Sequence, residues 1–248
     1  MIRRLPLPLA DAIAWGVAWV WWFVLPIRRD VAIANLRGAL PGAPARATLV
    51  RAAHDVALGY LELGRSDVRI DFVGADGPPP GAILVTAHLG SWDLGLLAAG
   101  RRHPLAIFLR RPSNRRVARW IDAARRDAGI EGLYDGARKE HGYAALAAGK
   151  HLVFVFDQRH ARGIEVPFFG RPARTSPAAA AAHLRTGRPI WTVRMRRLGL
   201  GHHTLTYTPF EVPPGADAAR ITELLNLWIE DAIREAPHAW WWLHRRWG

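Results

Sequence analysis

The sequence predicts an α/β domain: a largely parallel central sheet flanked by helices, preceded by a hydrophobic N-terminal membrane-anchor helix. Three observations lead there. From residue 68 onward, short apolar runs alternate with amphipathic stretches, the strand-helix rhythm that builds a parallel sheet. The runs at 82–85, 104–109 and 151–156 are nearly continuous in apolar residues, as expected of strands covered on both faces. Near the start, the run from Ala12 to Leu25 carries no charge and is rich in tryptophan.

That first run follows Arg3 and Arg4 and is short of the ~20 apolar residues a spanning helix needs. Bulky Trp22, Phe23 and Leu25 stand where a signal-peptide cleavage site would lie, so an uncleaved anchor is expected, either spanning the bilayer or lying in its interface. Arg28 and Arg29 behind the run balance Arg3 and Arg4 before it, which leaves orientation open. A buried hydrophobic helix of a soluble protein is the alternative. The expected division is residues 1–30 as anchor and 31–248 as catalytic domain.

Residues 28–63 have helical spacing interrupted at Pro41-Gly42-Ala43-Pro44. Residues 68–73 alternate as a strand, and the proline-rich 74–81 form a loop. The next strand ends at His88, and the helix after it closes at Gly100. A strand at 104–109 runs into Arg110 and Arg111, and helices follow at 114–128 and 138–148. The strand at 151–156 delivers Asp157 and Gln158. Pro167 makes 164–169 an edge or irregular piece. An alanine-rich helix at 178–186 follows Thr175-Ser176-Pro177 and stops at Gly187. Strands at 190–195 and 204–210, a helix at 217–236 and a Trp/Arg-rich end complete the chain.

The 248 residues carry a formal charge of +13, which draws anionic partners: nucleic acid, acidic headgroups or an acidic protein. Twelve tryptophans clustered near both ends favour a membrane-water interface among these. The absence of cysteine excludes thiol catalysis, disulfides and thiolate metal sites. There is no Gly-x-Ser-x-Gly elbow, no phosphate-binding Gly-x4-Gly-Lys-Ser/Thr loop, and no convincing zinc-ligand spacing among the histidines, so no metal is expected.

The stretch Thr86-Ala87-His88-Leu89-Gly90-Ser91-Trp92-Asp93 is the candidate site. Five residues on one helix would set His88 and Asp93 about 140° apart. The pair therefore makes sense with His88 before the helix and Asp93 in its first turn. There Asp93 could hydrogen-bond one ring nitrogen and leave the other free as a general base. The plainer alternative is a turn histidine and an aspartate satisfying helix N-terminal amides. His88, Arg110 and Asp157 each end a predicted strand, where parallel sheets bind ligands.

Ordered blocks along nearly the whole chain resemble the bacterial lipid A late acyltransferases, within the lysophospholipid acyltransferase superfamily. They are a hydrophobic N-terminal segment, Arg28-Arg29-Asp30 to Leu36 with Pro41, His88-x4-Asp93, Leu109-Arg110-Arg111-Pro112 with Asn114, and Arg126 to Gly129. Asp157-Gln158, Val166-Pro167-Phe168-Phe169-Gly170, Thr175 and Trp242 to Trp247 follow in the same order. Ala87 stands where the family often has Asn, and Asp93 where Glu is frequent.

The resemblance implies a membrane-associated O-acyltransferase that moves a fatty acyl group from a thioester to a hydroxyl of a lipid A precursor or related anionic glycolipid. It implies His88 as base and Asp93 as its orienter. Arg110 is the best candidate for a phosphate of the acceptor, and Asp157, Gln158, Phe168, Phe169 and Thr175 are candidate substrate-binding residues. The expected co-substrate is an acyl-carrier-protein or coenzyme A thioester, with no resident cofactor and no nucleic-acid partner. The expected location is the bacterial inner membrane, with the catalytic domain facing the cytoplasm. The alternatives are a lysophospholipid or other glycolipid acceptor, or a non-enzymatic basic protein. The C-terminal Trp/Arg cluster reads as an interfacial belt or as a tail packed on the domain.

Overall fold

The computed structural model describes residues 5–63, 65–74, 77–109, 115–134 and 138–247. Three helices open the chain: α1 (Leu7–Phe23), α2 (Arg29–Ala39) and α3 (Ala45–Glu62). Strands and helices then alternate as β1 (Arg69–Val73), β2 (Ile83–Thr86), α4 (Trp92–Gly100), β3 (Leu105–Phe108), α5 (Arg115–Asp127), β4 (Ile130–Leu133), α6 (Lys139–Ala147) and β5 (His151–Val155). The remainder is β6 (Ile164–Phe168), β7 (Arg171–Thr175), α7 (Ala178–Thr186), β8 (Ile190–Gly199), β9 (His202–Phe210), α8 (Ala218–Glu235) and a short 3-10 turn, Pro237–Ala239.

Seven strands form one sheet in the order β1-β9-β8-β2-β5-β3-β4. All neighbours run parallel except the β8–β9 hairpin. The predicted α/β fold with a mostly parallel sheet is therefore the observed one. Side chains on β2 alternate between two cores, as a period of two requires. Ile83 and Val85 pack in a cluster with Ala179, Ile221, Leu225 and Ile229 of α7 and α8, whereas Leu84 packs with Leu94 and Leu97 of α4. Covered on both sides, β2 carries no polar residue until Thr86, and the site begins just beyond it.

Two strands went unanticipated. β4 adds an edge beside β3, although its four residues, Ile130-Glu131-Gly132-Leu133, sit between two strong helical patterns. β7 pairs with β6 in a separate two-stranded hairpin, joined by Phe169 and Gly170, both at positive φ. That two-residue turn matches the twist of the strands, and Phe169 is held in it by its amide donating to Glu230 at 2.7 Å.

The N-terminal helix turns a stripe of small residues inward. Ala10 and Ala14 pack with Leu58 of α3, and Ala18 is buried one turn further on. Its outer side exposes Leu9, Ile13, Val17, Trp19, Val20 and Phe23. At 17 residues it is about 25 Å long. Among the described residues no helix is long and apolar enough to cross a membrane, so the spanning form of the expected anchor finds no support.

The C-terminal cluster is mainly a packed tail. Trp240, Trp242 and Arg246 are fully buried, Trp247 is partly buried, and Arg245 is exposed. An interfacial belt is therefore the wrong description of the buried three, because indole rings packed at a tilt against Phe168 and edge-on against each other bury more apolar area than they would at a headgroup layer.

Candidate active site

The chain leaves β2 through Ala87 and turns sharply at Gly90, where φ is +60°. A side chain there would put its Cβ 2.9 Å from the carbonyl oxygen of Met195, so only glycine fits. The turn is clamped from the C-terminal segment: Gly90 N–H donates to Ala239 O at 2.8 Å, and Trp241 N–H donates to His88 O at 3.2 Å. On the other side α3 comes close at Gly59, where a Cβ would lie 2.7 Å from Ser91 Oγ. His88 is thus fixed between the sheet, α3 and the tail.

Parallel register places its partner. Thr86 of β2 stands opposite Val155 of β5, so two residues further along each strand His88 faces Asp157. Asp157 Oδ1 accepts from the His88 backbone N–H at 3.1 Å and lies 2.8 Å from Nδ1. Its other oxygen accepts from the Trp240 indole N–H at 2.8 Å. Asp157 is 1% exposed, a buried carboxylate with both oxygens engaged. Burial pushes its pKa up, but the His88 charge and these hydrogen bonds outweigh that and hold it below the usual range. For His88, burial pushes down, and the Asp157 charge and hydrogen bond with the smaller pull of Asp93 leave it raised.

The other edge of the imidazole opens on a cleft of about 280 Å³. Its walls include Asp55, Val56, Gly59 and Tyr60 of α3, Leu63 just past its end, Trp92 to Leu94 at the start of α4, Gln158, and Trp241. Gln158's side-chain amide nitrogen lies 3.4 Å from His88 Nε2. With Nδ1 bound to a carboxylate, Nε2 is the nitrogen left to exchange a proton with a ligand in the cleft.

Asp93 is on the cleft wall in the first turn of α4, as its spacing predicted. It does not make the expected hydrogen bond to His88, because Asp157 already occupies Nδ1. Asp93 acts on the ring through its charge alone. Burial raises its own pKa, against the opposing pulls of Arg125, 4.0 Å away, and of His88.

Arg110 lies outside the described residues, as do Arg111, Pro112 and Asn114. Phe168 is fully buried against Trp240 and Trp247, Phe169 occupies the β6–β7 turn, and neither lines the cleft. Thr175 is fully buried and accepts from Arg246 Nη2 at 2.6 Å. None of these three is among the residues that line this cleft. Unanticipated were Trp240 and the α3 wall; the only signal in the sequence was Trp240's place in a tryptophan cluster.

A profile of the family described as bacterial lipid A biosynthesis acyltransferase matches residues 78–248. A lipid A biosynthesis palmitoleoyltransferase of Escherichia coli (strain K12) and a lipid A biosynthesis acyltransferase of Shigella flexneri are each 24% identical over 170 residues, 67% of this chain and 55% of the relative. The chain spans about half the length of these curated relatives. Among solved structures, the 1-acyl-sn-glycerophosphate acyltransferase of Thermotoga maritima is similar at a TM-score of 0.47 and 12% identity, covering 96% of this chain and 99% of that one.

Proposed function

This chain belongs to the bacterial lipid A biosynthesis acyltransferase family, and we propose that it transfers a fatty acyl group from a thioester to a hydroxyl of a lipid A precursor or related anionic glycolipid. The observation that carries this reading is His88, with Nδ1 tied to a buried carboxylate and its other edge on the cleft. His88 Nε2 takes the proton of the acceptor hydroxyl as its oxygen bonds to the thioester carbonyl carbon. The carbon–sulfur bond then breaks, and the proton passes to the departing thiol. A base so placed is worth roughly 10²–10⁴-fold, and positioning supplies much of the rest. Asp93 adds negative charge in the same cleft, consistent with the His-x4-Asp pattern.

The donor is an acyl-carrier-protein or coenzyme A thioester, which brings the acyl group already activated. The acceptor's phosphate is assigned to Arg110. Val56, Leu63, Trp92, Leu94 and Trp241 give the cleft apolar walls suited to lipid substrates.

Residues 1–30 serve as the membrane-associating piece and 31–248 as the catalytic domain, at the cytoplasmic face of a bacterial inner membrane. The outer side of α1 supports an interfacial attachment. Leu198 and Leu200, exposed at the β8–β9 turn, extend the apolar surface beside Leu7. Arg46 over Phe23 and Arg29 over Trp22 pair cations with its rings, a combination suited to anionic headgroups.

The test incubates purified full chain with acyl-carrier-protein and coenzyme A thioesters, offered a lipid A precursor or a lysophospholipid, with products read by mass spectrometry. An acylated glycolipid, lost roughly 10²–10⁴-fold in His88→Ala, is the expected result. Acylation of the lysophospholipid alone would replace the acceptor, and full turnover by His88→Ala would remove the base assignment.

A further inference from the structure

We propose that Asp157, steadied by Trp240, is the carboxylate that orients His88, and that Asp93 is left to face the substrate. This rests on the reading of His88 as the base and adds two positioning residues to it.

Every acceptor on Asp157 is directed. Oδ1 meets both nitrogens His88 offers it, the backbone N–H at 3.1 Å and Nδ1 at 2.8 Å, and Oδ2 meets the Trp240 indole at 2.8 Å. Three contacts on a carboxylate that is 1% exposed leave it no other rotamer. A carboxylate only accepts, so the His88 nitrogen beside it carries the proton and Nε2 presents its lone pair to the cleft. Asp93 has neither the contact nor the confinement: it is 31% exposed and 4.0 Å from Arg125.

Trp240 is held as firmly as the group it holds. It is 1% exposed and packs against Trp242 with ring centroids 4.7 Å apart. The residues on either side of it bond the Gly90 amide and the His88 carbonyl, and Leu89 bridges Trp240 itself. The tail therefore grips the His88 turn by its backbone and the His88 partner by an indole.

The test uses the full chain with ¹⁵N-labelled histidine, His88 assigned through His88→Gln, and follows its ring nitrogens by NMR against pH alongside turnover and melting. In wild type, neutral His88 should carry its proton on Nδ1. Asp157→Asn should abolish that preference, lower the pH at which His88 titrates and cut turnover roughly 10²–10⁴-fold. Asp93→Asn should keep the Nδ1 tautomer and lower the His88 titration less, while still reducing turnover.

Trp240→Phe should keep KM, lose roughly 10-fold in turnover and move the His88 titration upward, since Asp157 then has more charge to share. If the phenylalanine variant melts early, the isosteric Asp157→Asn decides alone. Loss of the Nδ1 tautomer in Asp93→Asn, with its retention in Asp157→Asn, overturns the proposal. So does a folded Trp240→Phe with unchanged turnover and unchanged titration. The NMR arm needs no substrate, so a failure of acyl transfer is distinguishable from a failure of the orientation.

Discussion

Glu62→Gln should be among the most damaging single changes outside the cleft. Glu62 ends α3 and is completely buried. It accepts from Arg197 through both oxygens at 2.5 and 2.8 Å, from the Gly201 backbone at 3.1 Å, and lies 3.0 Å from His203 Nε2. Burial opposes its charge, but His203 and Arg197 outweigh that and lower its pKa. Glutamine keeps the shape but turns an amide NH₂ toward donors and leaves the Arg197 charge, only 13% exposed, without its counter-ion. Breaking a buried pair from one side costs about 3–5 kcal/mol. In a chain of this size that lowers the melting temperature by about 6–20 °C.

Urea unfolding at pH 7 measures the loss, and a double-mutant cycle with Arg197→Met isolates the pair. The carboxylate's lowered folded pKa means its contribution is present above the unfolded value, near 4.3, and is lost as pH falls through the folded value. The gap between wild type and variant should therefore close in acid. A loss below about 1 kcal/mol at pH 7, or strict additivity with Arg197→Met, would refute the claim that this cluster ties α3 to the β8–β9 hairpin.

Other outcomes follow from the same geometry. His88's raised pKa means that a general base there is lost as pH drops through a value above 6.5, so kcat/KM should show its acidic limb above that pH. Gly90→Ala, strained at φ +60° and blocked by Met195 O, should cost about 1–3 kcal/mol and depress turnover along with stability, read by melting and assay together. His151 is buried with its pKa lowered from 6.5 to about 4. The unfolded chain therefore binds that proton first, and stability should fall by about 3 kcal/mol between pH 6.5 and 4. His151→Asn should flatten that part of the profile.

The fold was legible because its signals are local. Apolar runs at 82–85 and 151–156 have to be covered on both faces, and Gly187 and Asp217 mark helix ends through their own backbone and side chain. β4 was hidden because four residues give too short a period to outweigh the helices beside them. The inward stripe Ala10, Ala14 and Ala18 was written in the sequence, but an alanine stripe does not say whether a helix or lipid covers it.

The sequence by itself placed His88 and Asp157 at the ends of buried strands, two residues beyond β2 and β5 as they fold, and Asp93 in the first turn of the next helix. Tertiary structure alone decided which carboxylate meets the imidazole. A side chain bonds what lies across the sheet, and strand order and register are set by packing between segments distant along the chain. β5 happens to lie beside β2 with Thr86 opposite Val155, so Asp157, 69 residues away, reaches Nδ1 while Asp93, five residues away, does not. The same holds for Trp240, whose role is defined only once the tail has closed over the turn.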